Sequence, residues 1–547
     1  MKKLLPVLLL VPVLTYSQSK KKKRQAEEKA NAELVANLRS HVQYLADDKL
    51  EGRRTGSRGE DLAMQYIVNQ YTQMGLEPRG TKGFIQEFEI NEGKQVDAAT
   101  KLKVDGKTLT LNEDFLPLAF CANSKVSGSP AMALNESKQP WFKDLKEVLE
   151  ENRNNPHFDV EAEIKKTVNA VAAKGATALF VYNTSPLVDN IQFNRNDKSE
   201  PVKIPVVYIT KEGYKKYFSD HSATLDIEMN LSFSEKKRMG KNVAAFINNQ
   251  AAHTVVLGAH YDHLGFGEDK GALDTGHVIH NGADDNASGT AALIELARML
   301  KKAPPSHNNY LILNFSGEEL GLLGSKYWLD HPSTQVTPNY MINMDMVGRY
   351  DTAHKLTIGG YGTSPVWGEV LNGQGLGLAM KFDSTGSGPS DHASFYRKDI
   401  PVLFLFTGSH SDYHKATDDW DKINYDGEKD VVKMIYRVIE LADAKGKLAF
   451  AKTNDPQPGG ARAFRVSLGV MPDYGFSGTG MRIDGVSPGK LAEKLGLQAG
   501  DVLLQLGEYK FVDVKSYSDV LSKFNKGDAA QLLFKRGNEE KRVEVQF

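Results

Sequence analysis

At 547 residues, with 40% apolar and 25% charged side chains and a net charge of -1, the chain is too long for one hydrophobic core and too neutral to be held to nucleic acid by a basic field. This balance excludes wholesale disorder and predicts a multidomain soluble protein of about three or four units. The only cysteine, Cys121, excludes an intrachain disulfide and is expected to be a small buried hydrophobe.

The start, MKKLLPVLLLVPVLTYSQS, sets Lys2 and Lys3 before an apolar run from Leu4 to Leu14, with small and polar residues at Ser17 to Ser19. That is the grammar of a signal peptide over residues 1–19, too short to span a bilayer, and it predicts export to the periplasm or secretion. The basic cluster Lys20 to Arg24 runs against it, because positive charge just after the apolar run disfavours export of the next segment. From Ala26 to about Met74, apolar residues such as Leu34, Leu38, Val42 and Leu45 recur at helical spacing, and GRRTGSRGE, Gly52 to Glu60, interrupts them as a loop. A β-prone, turn-rich region runs from roughly Gly83 to Phe233. Within it VNAVAAKGATALFVYN reads as helix, glycine turn and buried strand, and IPVVYIT as a further strand.

From about Asn242 the rhythm changes. The apolar segments HTVVLGA, NYLILNF, NYMINMD and IPVLFLF read as strands and TAALIELARMLKK as a helix, which predicts an α/β layer with a largely parallel sheet. TNDPQPGGAR, residues 453–462, is a polar linker, and residues 463–547 form a compact unit of strands plus helix.

In open α/β sheets ligands bind outside the carboxyl ends of the strands. There the four apolar strands deliver His260, Tyr261 and Asp262; Ser316 to Glu319; Asp345; and, through TGSHSDYH, His414. The turn GADDNASG adds Asp284 and Asp285. Each residue alone has a dull explanation as loop or core, but five oxygen and nitrogen donors at one edge suit Zn²⁺. The motif His-Glu-x-x-His is absent. In His260-x-Asp262 the two side chains share a face of an extended segment, so Asp262 is placed to accept from the ring of His260 and fix its tautomer. Adjacent Glu318 and Glu319 diverge, which lets one bind metal while the other holds a water proton; spacing alone does not say which.

GAHYDHLG, IHNGADDNASGTAALIELAR, FSGEELGLLGS, NMDMVGR and SDHASFYRKDIPVLFLFTGSHSDYHKATDDWDKINY together resemble the M28 family of co-catalytic zinc aminopeptidases over about Val255 to Tyr425. YLADDKLEGRRTGSRGE resembles the same family's first segment. The resemblance implies a zinc-exopeptidase fold: a mixed, largely parallel sheet flanked by helices, split into residues 26–101 and 235–452. It implies two Zn²⁺ per chain, with Asp285 bridging them, His260 and Asp345 completing one site, and Glu319 and His414 the other. Glu318 would be the general base, acting on a hydroxide held between the metals, and Asp262 the partner of His260. Asp284, His263, His277, His280, His392 and His410 receive loop or supporting roles.

Residues 102–234, through AAKGATALFVYN and IPVVYIT, resemble a protease-associated (PA) domain, read either as a cover beside the cleft or as a structural insert. Residues 463–547 resemble a PDZ domain through VSPGKLAEKLGLQAGDVLLQLG. Ser467, Leu468, Gly469 and Val470 would be the loop receiving a peptide carboxylate, with strand addition at the sheet edge. The leading expectation is therefore an exported dizinc aminopeptidase acting on peptides, with no nucleic acid partner and no membrane span after signal removal. Glutaminyl cyclases and carboxypeptidases share the fold and form the alternatives. A non-catalytic receptor or scaffold would be expected to have lost ligands that this chain retains.

Overall fold

The computed structural model describes residues 11–547 except 154–157, 196, 198, 269–270, 275, 352–354, 373–376, 454–465, 473–475, 477, 487–489, 513, 522 and 538. The first part of the signal-like run and nearly all of the linker at 453–462 lie outside the described residues. Among the described residues no helix is long and apolar enough to cross a membrane.

Two helices come first, α1 (Val11–Leu45) and α2 (Arg58–Gln73). Leu34, Leu38, Val42 and Leu45 are all buried, as their helical spacing requires. Helix α2 starts with Ser57 accepting from the backbone N–H of Glu60, while the carboxylate of Glu60 accepts from the N–H of Gly56 at 2.6 Å. This is close to the reciprocal capping that a Ser-x-x-Glu sequence encodes.

The central sheet has nine strands: β1 (Glu77–Pro78), β2 (Ile85–Val96), β3 (Phe233–Ile247), β4 (His253–His260), β5 (Asn308–Phe315), β6 (Pro338–Met344), β7 (Leu356–Gly359), β8 (Met380–Phe382) and β9 (Val402–Phe406). Their order is β1-β3-β5-β4-β6-β9-β7-β8, with β2 paired to β3. The inner four, β5-β4-β6-β9, run parallel. Period-two alternation sends side chains to both faces. Val255, Leu257, Ala259, Tyr310, Ile312, Tyr340 and Ile342 join the core beneath α1, α2, α3 (Gly289–Lys302) and α5 (Tyr425–Asp443). Val256, Leu311, Leu313, Phe315 and Met341 pack on the other face against Trp328 of α4 (Leu323–Asp330) and against Phe395.

Between Val96 and Phe233, which face each other at the end of the antiparallel β2-β3 ladder, the chain leaves this sheet and builds two four-stranded sheets with cores of their own. The helix Val160–Ala173, a turn at Gly175 with φ +99°, and the fully buried strand Leu179–Tyr182 follow the order read from the sequence. Cys121 is buried there, accepts from the N–H of Val206, and has its thiol pushed up to about 11 by burial. A six-stranded sheet ordered Val470–Pro472, Met481–Val486, Val502–Leu506, Ala529–Arg536 and Glu539–Gln546, with Tyr509–Lys510 paired to Val502–Leu506, makes the last unit. Its core is separate and includes Leu468, Ile483, Leu503, Leu506, Leu532 and Phe534.

Candidate metal centre

Because β4, β5, β6 and β9 are parallel, the loops that leave their carboxyl ends all emerge at one edge. His260 ends β4, Glu318 and Glu319 come just after β5, and Asp345 just after β6. His414 lies in the loop after β9 with a φ of +55°, an uncommon backbone conformation for a side chain of this size. Asp285 comes from the irregular turn Ala283–Ser288 that leads into α3, where the Asp285–Asn286 peptide is cis.

The side chains converge in two groups that share Asp285. His260 Nε2 is 3.3 Å from Asp285 Oδ1 and 3.4 Å from Asp345 Oδ1. His414 Nε2 is 3.2 Å from Asp285 Oδ2 and 3.4 Å from Glu319 Oε2. One donor atom each from His260, Asp285 and Asp345 lie within 4.8 Å of one another, and so do atoms of His263, Asp285 and Glu319. The adjacent glutamates do diverge: Glu319 faces His414, whereas Glu318 Oε2 is 3.9 Å from His260 Nε2.

Asp262 lies against His260 through both its side chain and its main chain. Its carboxylate Oδ1 is 3.8 Å from His260 Nδ1, while its main-chain oxygen is nearer, at 3.2 Å. The carboxylate also accepts from Thr55 Oγ1 at 2.8 Å and from the N–H of Glu318 at 3.1 Å, so it ties the β4 loop to the β5 loop.

Charge in this pocket is strongly coupled to burial. Burial alone would lower His260, but Glu318, Asp345 and Asp285 outweigh it and hold its pKa well above the ordinary value. His414 is likewise lowered by burial yet raised to about 9 by Asp285 and Glu319. Glu318 is pushed well up, first by burial and then by Asp345, Glu319 and Asp391 against the pull of His260. Imidazole nitrogens and carboxylate oxygens converging in two groups around Asp285 fit zinc by donor type, and a metal binding there must displace the imidazole protons.

The residues left without a ligand role fall apart into distinct duties. Asp284 is fully buried and accepts from Ser288 Oγ at 2.9 Å, the N–H of Gly348 at 2.7 Å and His410 Nε2 at 3.1 Å. His392 stacks on Phe404 at 4.3 Å with its pKa lowered to about 3 by burial and then by Arg397, a neutral core histidine. His280 pairs with Asp274 at 2.6 Å, and His277 stacks on Phe266. His263 lies against one of the donor carboxylates, with its Nδ1 2.8 Å from Glu319 Oε1. In the last unit Leu468 is buried, Gly469 has a φ of +78°, and its N–H is held by Ser467 Oγ at 3.0 Å. Val470 pairs with Val486 in the sheet.

Spacing does not single out two residues of the stretch GRRTGSRGE, whose last three residues begin helix α2. Arg53 is fully buried and donates to the carbonyls of Tyr261 (2.9 Å), Asn281 (2.6 Å), Gly282 (3.0 Å) and Leu45. Burial lowers its pKa to about 10 against Asp285, Asp262, Asp418 and Glu319, which raise it. One guanidinium thus joins helix α1 to the loop after His260 and to the turn that leads to Asp285. Arg53→Met leaves these carbonyls unpaired and is expected to cost about 3 kcal/mol or more, read as a fall in denaturation midpoint; an unchanged midpoint would remove Arg53 from this role.

Glu60 is the second. Its carboxyl contacts Ser316 Oγ and is raised to about 8 by burial and then by Asp262. A carboxyl raised in the folded state contributes stability that is complete below its unfolded pKa near 4.5 and is lost as pH climbs through 8. Glu60→Gln is expected to flatten this decline, so that the variant gains on the parent between pH 4.5 and 8; denaturant titrations across that range test it, and parallel curves would count against a buried neutral Glu60.

Residues 242–439 match peptidase family M28. Aminopeptidase YwaD of Bacillus subtilis is 32% identical over 249 residues, covering 43% of this chain and 49% of that protein. Leupeptin-inactivating enzyme 1 of Streptomyces exfoliatus is 34% identical over 140 residues, covering 25% and 31%. The chain thus spans about half or less of the length of these curated relatives. The solved structure of a zinc aminopeptidase from Bacillus subtilis aligns over 76% of this chain and 98% of its own at 19% identity, with a TM-score of 0.41.

Proposed function

We infer that this chain is a zinc-dependent aminopeptidase of the M28 type that holds two Zn²⁺ and releases N-terminal residues from peptides. The observation that carries this reading is Asp285 standing between two imidazoles, His260 at 3.3 Å from one carboxylate oxygen and His414 at 3.2 Å from the other. Asp345 completes the first set of donors and Glu319 the second. Bound there, zinc supplies Lewis acidity to a scissile carbonyl and makes water a stronger acid.

The protein's own groups do the rest. Glu318 is the general base: its carboxylate lies beside His260 but outside both ligand sets, and burial raises its proton affinity, so it accepts a proton from attacking water and delivers it to the leaving amine. Asp262 holds the N–H of Glu318 and so sets where that carboxylate starts.

The flanking units take roles of their own. We assign residues 102–234 as a PA-like insertion beside the peptidase domain, and the last unit as PDZ-like, with Ser467 to Val470 as its carboxylate-receiving loop. We propose export to the periplasm or secretion, a reading supported by the apolar run Leu4 to Leu14 after Lys2 and Lys3. Zinc content measured together with hydrolysis of a panel of aminoacyl anilides tests the activity: two zinc per chain and cleavage abolished by chelator and restored by Zn²⁺ are expected. A metal-loaded protein that cleaves none of the panel would overturn the aminopeptidase reading.

A further inference from the structure

We infer that His263 is a positioning residue for one of the two zinc sites: it holds Glu319 through Nδ1 so that the opposite carboxylate oxygen faces His414. The inference rests on the dizinc reading above and adds a residue to which that reading gives no metal role.

His263 Nδ1 is 2.8 Å from Glu319 Oε1. A carboxylate offers only acceptors, so holding Glu319 in this way requires His263 to donate from Nδ1. The other oxygen of Glu319, Oε2, is the one 3.4 Å from His414 Nε2. Engaging Oε1 therefore leaves a single oxygen free to serve a metal. The ring cannot easily turn away. Its side chain is fully buried, its edge meets the His414 ring with centroids 5.8 Å apart and planes at 73°, and its backbone N–H is held by the carbonyl of Arg53 at 3.2 Å. The space it fills exists because residue 282 is glycine: a Cβ there would come within 2.4 Å of His263 Cδ2. Gly282 also has a φ of +55°, so the turn carrying Asp285 and the ring steering Glu319 depend on the same position. His263 Nε2 is buried with no hydrogen-bond partner, so the ring's polar contact is the one to Glu319. Groups that orient a metal ligand commonly account for about 10- to 100-fold in metal affinity.

Three substitutions separate steering from space-filling. His263→Ala removes both. His263→Asn keeps an N–H donor near the position of Nδ1. His263→Gln keeps more bulk but carries its donor toward the position of Nε2. Zinc per chain and stepwise affinity are measured by equilibrium dialysis against buffered free Zn²⁺ with mass-spectrometric counting, and folding is checked by circular dichroism.

The expected result is two zinc ions in the parent. In the Ala and Gln variants one of them is weakened about 10- to 100-fold while the other is unchanged, and Asn recovers most of the loss. Equal affinities for both ions in the parent and in folded Ala and Gln variants would overturn the steering role, as would rescue by Gln but not by Asn, which would assign His263 to packing. If Ala fails to fold, the Asn and Gln pair still decides the matter. A parent that binds fewer than two ions would instead defeat the dizinc reading, and the inference with it.

Discussion

Asp285→Ala is expected to abolish zinc binding at both positions and peptidase activity with it. Its two oxygens face different imidazoles, and among the described residues no other single residue stands in both groups of donors. The charge argument points the same way. Asp285 is fully buried, which by itself would raise its pKa, yet His260 and His414 hold it well below the ordinary carboxylate value. Removing it takes away the one carboxylate that faces both imidazoles, so metal affinity should fall by well over the about 100-fold typical of a residue that only supports a ligand. Zinc counting on the purified variant, with anilide hydrolysis, reads both effects, and retention of two ions would remove Asp285 as the bridge.

Asp284, one residue earlier, makes the control sharper. It accepts from Ser288, Gly348 and His410, and so locks the Asp285 turn to the loops after β6 and β9. Asp284→Ala should therefore register first as a lower denaturation midpoint, whereas Asp285→Ala should register first as lost metal.

Glu318→Gln is expected to lower kcat by about 10²- to 10⁴-fold, the range for loss of a positioned general base, while both zinc ions stay bound. The substitution keeps shape and the backbone N–H held by Asp262, and removes only the ability to take a proton. Glu318 is the fitting candidate because it lies 3.9 Å from His260 Nε2 without joining either group of ligand atoms, and because burial raises its affinity for the proton it must carry. Steady-state kinetics on a zinc-counted sample separates base loss from metal loss. Parent-like turnover by the Gln variant would assign the proton transfer elsewhere.

Much of this architecture could be read along the chain because its causes are local. Four runs of consecutive apolar residues became the four parallel inner strands, and their carboxyl ends brought His260, Glu318, Glu319, Asp345 and His414 to one edge. A strand buried on both faces has to be apolar throughout, and its first polar residues fall where it emerges from the sheet. The helical repeat ahead of the loop at Gly52 and the glycine turn before Leu179 are likewise short-range signals.

Other features had no such signal. Alternate residues sharing a face bring Asp262 to His260, but that rule does not reveal its hydrogen bonds with Thr55 and with the N–H of Glu318, partners 207 and 56 residues away. Arg53 could be read as an ordinary loop arginine, and only the fold surrounds it with four carbonyls from three segments. His263 differs from His260 by three positions and no obvious pattern; its contact with Glu319 exists because Gly282 makes room for the ring. The sequence by itself thus determined the strands, their polarity and the kinds of donor at their ends, since periodicity and residue chemistry act over a few residues. The tertiary structure alone decided which side chains meet at Asp285 and which histidines are packed away from it, because those outcomes depend on distances between segments that the order of residues does not specify.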